Sequence, residues 1–334
     1  MGQLKKSFLN SSQVKQACVT GASGFVGKRL VEKLISNGFT VRVLTRNSKI
    51  IFPESVEIFY ADLASPKSNL KNFFSGCDIF FHCAGDIKNP ENMHALHVDG
   101  TKKIIDAINK SIKLDKKPKH FIQLSSVGVY GNAVKRKQTR VVTEESACNP
   151  LGEYEITKAL SDQIIINSIK NTNLTYTILR PSNIVGFLMP NQSFRSLLRA
   201  IKSRQFFFIG SRKSISNYIH VDDVVDALIV CAKNKKAKNQ VFNLSKDCNL
   251  FDIVNMVSSS FGLKGNFICL PELPLRLGIY WLSKICRLPL TNKRIDALIS
   301  KTKYPATKIK NVLGFSPSRS IPKFAVEYLK SFDA

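Results

Sequence analysis

Tyr154 and Lys158 stand one helical turn apart in Tyr154-Glu155-Ile156-Thr157-Lys158, ahead of Ala159, Leu160, Ile164 and Ile165 at helical spacing. Residues so placed project from one helix face. There an ammonium can stabilise a phenolate, pulling a pKa of about 10 toward the range where tyrosine exchanges protons at neutral pH. The same spacing also occurs on exposed helices, where it does no chemistry.

A second pattern is suited to phosphate. The apolar run Ala17-Cys18-Val19 feeds Gly21-Ala22-Ser23-Gly24-Phe25-Val26-Gly27, and Val26, Leu30, Val31, Leu34 and Ile35 then recur at helical spacing until Gly38. That reads as strand, tight turn and helix. Gly21 permits the turn, Gly24 lets backbone approach a pyrophosphate, and Gly27 lets the helix pack on the strand, with phosphate charge at the helix N-terminus. The next strand, Thr40-Val41-Arg42-Val43-Leu44-Thr45-Arg46, ends where an acidic side chain would bond a free adenosine 2′-hydroxyl. Arg46 stands there instead, its guanidinium suited to a 2′-phosphate, so NADP is preferred over NAD; an exposed loop arginine is the plainer alternative.

The elements that must position these groups are short apolar runs alternating with helical patterns, as a parallel sheet covered on both faces requires. Further strands are predicted at 56–63, 78–85, 119–126, 175–181, 206–210 and 240–244, and helices after Val98, Tyr154, Ser193 and Val224. The later chain is more helical and less regular. The division predicted is a dinucleotide-binding domain at 14–180, with 215–245 returning to it, and a substrate-binding domain from 181–214 and 246–330.

At 334 residues and a net charge of +26, the chain can bury a large core beneath a strongly basic surface. Lys116, Lys117, Lys119, Lys135, Arg136, Lys137 and the lysines of 233–238 read as solvated surface, or as attraction for anionic substrate or acidic lipid. No recognised nucleic-acid motif accompanies them. Eight cysteines without a Cys-x-x-Cys pair point to buried, reduced thiols and a cytoplasmic setting, with no metal site. Residues 1–10 lack an apolar signal core. The apolar stretch 273–290 carries Arg276, Lys284 and Arg287, too much charge for a spanning helix, and leaves a membrane-surface contact open.

Taken together, the chain resembles the extended short-chain dehydrogenase/reductase superfamily in its NAD-dependent epimerase/dehydratase branch. The carriers are the glycine loop, His82-Cys83-Ala84-Gly85, Gly100-Thr101, Ser125-Ser126-Val127-Gly128-Val129-Tyr130-Gly131, Tyr154-x-x-x-Lys158, Arg180-Pro181-Ser182-Asn183, His220-Val221-Asp222-Asp223 and Leu313-Gly314-Phe315-Ser316-Pro317. The resemblance implies a Rossmann-type α/β fold, a doubly wound parallel sheet with a smaller, mostly C-terminal substrate-binding domain, and a homodimer paired through the helices after Val98 and Tyr154. Ile104, Ile105, Ile108, Ile164 and Ile165 could supply that interface, or simply cover the sheet.

By the same resemblance Tyr154 is the general acid/base, Lys158 holds the nicotinamide ribose, and Ser126 bonds the same substrate oxygen. Gly21, Ser23, Gly24, Phe25, Val26 and Gly27 lie along the pyrophosphate, Arg46, Asp62, Leu63 and Ala84 on the adenosine side, Pro181 beside the cofactor, and Asn183 near the substrate. The implied activity is hydride transfer at C4 of a UDP-sugar, as a 4-epimerase or 4-keto reductase serving surface-polysaccharide synthesis. A reductase or dehydrogenase of an apolar alcohol, similar to 3β-hydroxysteroid or dihydroflavonol enzymes, is the alternative, and a non-catalytic cofactor-binding regulator a third reading. Two positions depart from the pattern. His97 replaces the usual asparagine of its motif, and Ser216 stands where an arginine often meets substrate phosphate, leaving Arg212, Lys213 or Arg294 as replacements.

Overall fold

The computed structural model describes residues 15–111, 118–131, 138–169, 173–263, 267–282 and 290–332. The expectations at 1–10, at Lys116, Lys117, Lys135, Arg136 and Lys137, at Cys286 and at 283–289 fall outside these residues.

Seven strands form one parallel sheet: β1 (Gln16–Thr20), β2 (Thr40–Thr45), β3 (Val56–Tyr60), β4 (Ile79–His82), β5 (His120–Leu124), β6 (Thr175–Pro181) and β7 (Gln240–Leu244). Their spatial order is β7-β6-β5-β4-β1-β2-β3. The strand order therefore reverses between β1 and β4, which opens a crevice beyond their carboxyl ends. Thr20 of β1 lies opposite His82 of β4 at that edge.

Ala17, Cys18, Val19, Phe80, Phe81, Phe121 and Ile122 are fully buried, because helices cover both faces. α1 (Phe25–Ser36) packs Leu30, Val31 and Leu34 on one face; α2 (Gly100–Ser111) and α3 (Glu153–Ile169) pack Ile104, Ile105, Ile108 and Ile165 on the other. The isoleucines offered to a dimer interface, Ile164 aside, are thus core residues covering the sheet. The outward face of α3 instead exposes Ile156 and Leu160.

α4 (Ser193–Lys202) opens a second lobe, and α5 (Val221–Lys233) returns to the sheet beside α1. α6 (Leu250–Ser260) packs with α4 and the C-terminal helix around Phe194, Leu198, Ile253, Val254, Phe324 and Tyr328. α7 (Glu272–Leu282) and α8 (Asn292–Ile299) meet over a small cluster of Ile209, Ile279 and Ile295. α9 (Thr307–Leu313) seals the sheet edge with Ile309, and α10 (Ile321–Lys330) closes the chain.

The two cores are tied at α5. Asp222 pairs with Arg29 at 2.9 Å, Asp226 with Lys33 at 3.0 Å, and buried Asp223 with Arg319 at 2.7 Å. His220 caps the helix by accepting the Asp222 amide. The His220–Asp223 motif is therefore a joint between the first helix and the C-terminal segment.

Two expectations need correction. The apolar stretch 206–210 forms a strand only at Phe208–Ile209. Cys148 and Cys269 are exposed rather than buried, while Cys18, Cys77 and Cys231 are buried, and all are free thiols among the described residues.

Candidate active site

The crevice is walled by glycine. Gly21 follows β1 with φ of +69°, and a Cβ there would stand 2.5 Å from the Cys83 carbonyl carbon and 2.6 Å from the Ala84 amide at the end of β4. On Gly27 a Cβ would lie 2.0 Å from the Gly21 carbonyl oxygen. Both glycines thus let the loop, the helix and β4 approach one another. Gly24 differs: it is exposed, its amide donates to the Gly21 carbonyl at 2.9 Å, and it is the N-cap of α1 without a side-chain partner. No acidic residue sits in the first turn of α1. Exposed Ser23 and Gly24 and the amides of that turn would meet an anion with favourable helix charge, so these residues fit a dinucleotide diphosphate.

Other predicted cofactor positions divide between backbone and side chain. The Phe25 ring turns to the second lobe, where a Cβ on Gly186 would come within 2.9 Å of it, so Phe25 offers the loop its amide only. Leu63 buries its side chain against Gly100, and Ala84 joins the same core. Asp62 holds the Ala64 amide at 3.0 Å and lies 3.8 Å from the exposed Arg46 guanidinium. Pro181 is buried at the end of β6. Asn183 begins the short strand Asn183–Val185, exposed, with its side-chain amide donating to the Asn217 carbonyl at 3.2 Å. Among the arginines proposed near Ser216, Arg212 donates to the Phe267 carbonyl at 2.8 Å and stacks on Phe208.

Ser126 follows β5 and caps the turn Val127–Tyr130, accepting the Gly128 amide at 3.0 Å and leaving its hydroxyl proton available. This turn packs on the start of α3, where a Cβ on Gly128 would meet Glu155 at 2.8 Å. Tyr154 lies on that first helical turn, and among the described residues none hydrogen-bonds its hydroxyl. One turn on, buried Lys158 donates from Nζ to the Leu124 carbonyl at 2.6 Å. Ser126, Tyr154 and Lys158 are thereby brought to one end of β5.

The expected depression of the Tyr154 pKa is not met by the chain alone. Burial pushes the phenol up to about 12, the Glu155 and Asp162 carboxylates adding to it. Burial also lowers Lys158, opposed by Asp162 and Cys83. The lysine's charge is thus directed to the Leu124 carbonyl and to Asp162.

Asp162 escapes a motif reading. It lies one turn beyond Lys158, buried, accepting from Ser125 Oγ at 2.8 Å and pairing with Arg180 at 3.1 Å. Arg180 also donates to the Tyr130 hydroxyl at 2.9 Å, which donates to Asn243 at 2.9 Å. The available signal is the regular spacing Tyr154, Lys158, Asp162 on one helix face.

His97, which stands where the motif usually has asparagine, is built into the site. It lies in a π-helical turn, His94–Asp99, buried, its Nε2 accepting the Asp86 amide at 2.9 Å and Nδ1 lying 2.8 Å from Thr157 Oγ1. Its ring stands edge-on to Tyr154 at 5.7 Å between centroids. It is thus engaged with the helix that carries the tyrosine.

Comparison with known proteins places the chain in a family. Residues 17–245 match the model of the NAD dependent epimerase/dehydratase family. The human sterol-4-alpha-carboxylate 3-dehydrogenase, decarboxylating, is 29% identical over 67% of this chain, and the match spans 59% of that protein. An Escherichia coli O157:H7 4-epimerase of N-acetyl-alpha-D-glucosaminyl-diphospho-ditrans,octacis-undecaprenol is 26% identical over 86% of this chain and 87% of its own. The crystal structure of Thermotoga maritima UDP-glucose 4-epimerase with UDP-glucose superposes with a TM-score of 0.69, 22% identity, and coverage of 96% and 100%, a likeness of fold. With a family match over more than half its length, the glycine-lined crevice and the Ser-Tyr-Lys end of β5, the chain belongs to the NAD-dependent epimerase/dehydratase family of extended short-chain dehydrogenases/reductases.

Proposed function

We propose that this enzyme interconverts a hydroxyl and a ketone at C4 of a nucleotide-linked hexose, as a 4-epimerase or a 4-keto reductase. The observation that carries the reading is the free Tyr154 hydroxyl one turn from Lys158, against the turn capped by Ser126. A bound nicotinamide dinucleotide supplies hydride exchange. Tyr154 takes the proton from the C4 hydroxyl or returns it to the ketone oxygen. Ser126 donates to that oxygen, and Lys158, buried one turn from Tyr154, would hold the ribose of the bound cofactor. The fragments 181–214 and 246–330 receive the sugar nucleotide, with Asn183 at the mouth, and 14–180 with 215–245 holds the cofactor. A relative named as the 4-epimerase of a lipid-linked diphosphosugar supports a diphosphosugar substrate.

Arg46 takes the adenosine 2′-phosphate, so NADPH is preferred over NADH; the absence of an acid at the end of β2 supports this. The enzyme pairs through the outward face of α3, where Ile156 and Leu160 are exposed. A reaction on an apolar alcohol is the second reading, favoured by exposed Phe187 and Leu188 just beyond Asn183 and by the sterol relative.

Incubation with NADPH or NADH and a panel of UDP-hexoses and their 4-keto derivatives, beside a 3β-hydroxysteroid, tests the readings. Turnover of a UDP-sugar that Tyr154→Phe abolishes without loss of cofactor binding is expected; turnover of the steroid alone overturns it.

A further inference from the structure

α7 (Glu272–Leu282) is apolar on two sides. Inward, Ile279 is buried against Ile209 and Ile295. Outward, Leu273, Leu277, Tyr280 and Trp281 are 73%, 61%, 53% and 63% exposed, positions spaced at one and two helical turns. A helix that presents an apolar face outward as well as inward suits a second apolar phase on its outer side. Ile268, just ahead of this helix, is 62% exposed, which extends the patch.

The surroundings indicate which phase. Exposed Arg212 and Lys213 lie on the loop following Gly210, whose Cβ position would contact Glu272 at the start of α7. Exposed Lys293 and Arg294 open the adjoining α8. The two nearby carboxylates, Glu272 and Asp296, are both tied to Arg276, at 2.8 and 2.6 Å. Leucines beside tyrosine and tryptophan with a basic rim match the chemistry of an acidic bilayer surface, and a chain of net charge +26 is drawn to one. A second copy would bring the rim of Arg212, Lys213, Lys293 and Arg294 against its own like charge.

We propose that the outward face of α7 docks this enzyme on an anionic phospholipid surface, with Leu273, Leu277, Tyr280 and Trp281 entering the headgroup boundary. The helix lies in the plane of the interface; among the described residues no helix is long and apolar enough to cross a membrane. The proposal does not depend on which substrate the cleft takes.

Trp281 is the single tryptophan of the chain, so its fluorescence reports the helix directly. The full-length protein is titrated with vesicles of phosphatidylcholine containing phosphatidylglycerol, and with phosphatidylcholine alone. Expected are a blue shift and quenching by brominated acyl chains on the acidic vesicles, weakening as salt rises. Leu273→Glu/Leu277→Glu, at exposed sites, weakens partitioning about tenfold or more, while the far-ultraviolet circular dichroism and the thermal unfolding midpoint stay those of the wild type. An unshifted spectrum on acidic vesicles overturns the proposal, as does binding that this double variant leaves intact. A blue shift that grows with protein concentration without lipid and that Leu273→Glu/Leu277→Glu removes overturns it in favour of a second copy.

Discussion

His97 Nδ1 lies 2.8 Å from Thr157 Oγ1, and Thr157 Oγ1 in turn donates to the Glu153 and Tyr154 carbonyls at 2.8 and 3.1 Å. The threonine proton is therefore committed, so Nδ1–H is the donor. Nε2 is then free to accept the Asp86 amide. Burial and the Lys158 charge push the imidazole down to about 3, which keeps this tautomer neutral. His97→Phe keeps the ring but strands the Asp86 amide, so it should destabilise the protein by about 1–3 kcal/mol and lower kcat about tenfold. Denaturant unfolding and steady-state kinetics check both; wild-type values would remove His97 from the site.

The loop makes a graded prediction. Gly27→Ala places a methyl 2.0 Å from the Gly21 oxygen, whereas Gly24→Ala meets the same oxygen at 3.1 Å. Gly38→Ala meets nothing within 4 Å, though its φ of +79° costs about 1 kcal/mol. Calorimetric titration with NADH and NADPH should show affinity falling on the order of a hundredfold for Gly27→Ala, less for Gly24→Ala, and not at all for Gly38→Ala.

Acid should weaken the fold through buried histidines. His120 bonds Thr175 and Thr177 and is held down to about 4 by burial and Lys238, beside His97 at about 3. Both folded values lie below the unfolded 6.5, so the unfolded chain takes up protons first. The contribution is intact above pH 6.5 and drains as pH falls toward 4 and 3, by up to about 1.4 kcal/mol per pH unit for each group. The midpoint of thermal unfolding should fall steadily from pH 7 to pH 4.5, with a shallower slope in His120→Gln.

Much of this is legible in the sequence because backbone demands are local. Gly21 and Gly27 sit in a fixed relation to β1 and α1, and buried parallel strands read as apolar runs. What escapes is set by distance along the chain or by a broken rule. Asp162 meets Arg180 only because α3 crosses β6, and no local pattern pairs them. His97 looks like a loss of asparagine until the π-helical turn brings it to Thr157. The exposed face of α7 defies the expectation that apolar positions point inward, whereas Leu250, Ile253, Val254 and Val257 of α6 keep the helical spacing that a closer reading of the later chain could have used. The isoleucines of α2 satisfy sheet and dimer interface equally on spacing, and packing decides for the sheet.

The Asp162–Arg180 pair links stability to chemistry. Both side chains are nearly inaccessible, at 3% and 7%, so truncating one leaves the other's charge buried. Asp162→Ala should cost about 3–5 kcal/mol, most of it the unpaired Arg180, while Asp162→Asn keeps a hydrogen-bond partner and costs less. The milder variant then isolates an electrostatic effect. The Asp162 carboxylate raises the Lys158 pKa and so favours the ammonium against the burial that lowers it. Without it, Lys158 loses its proton at lower pH. The alkaline limb of the kcat/KM profile should therefore move toward neutrality in Asp162→Asn, by a shift that Arg180→Lys does not reproduce. An unmoved alkaline limb with the expected loss of stability would restrict Asp162 to holding β6 against α3.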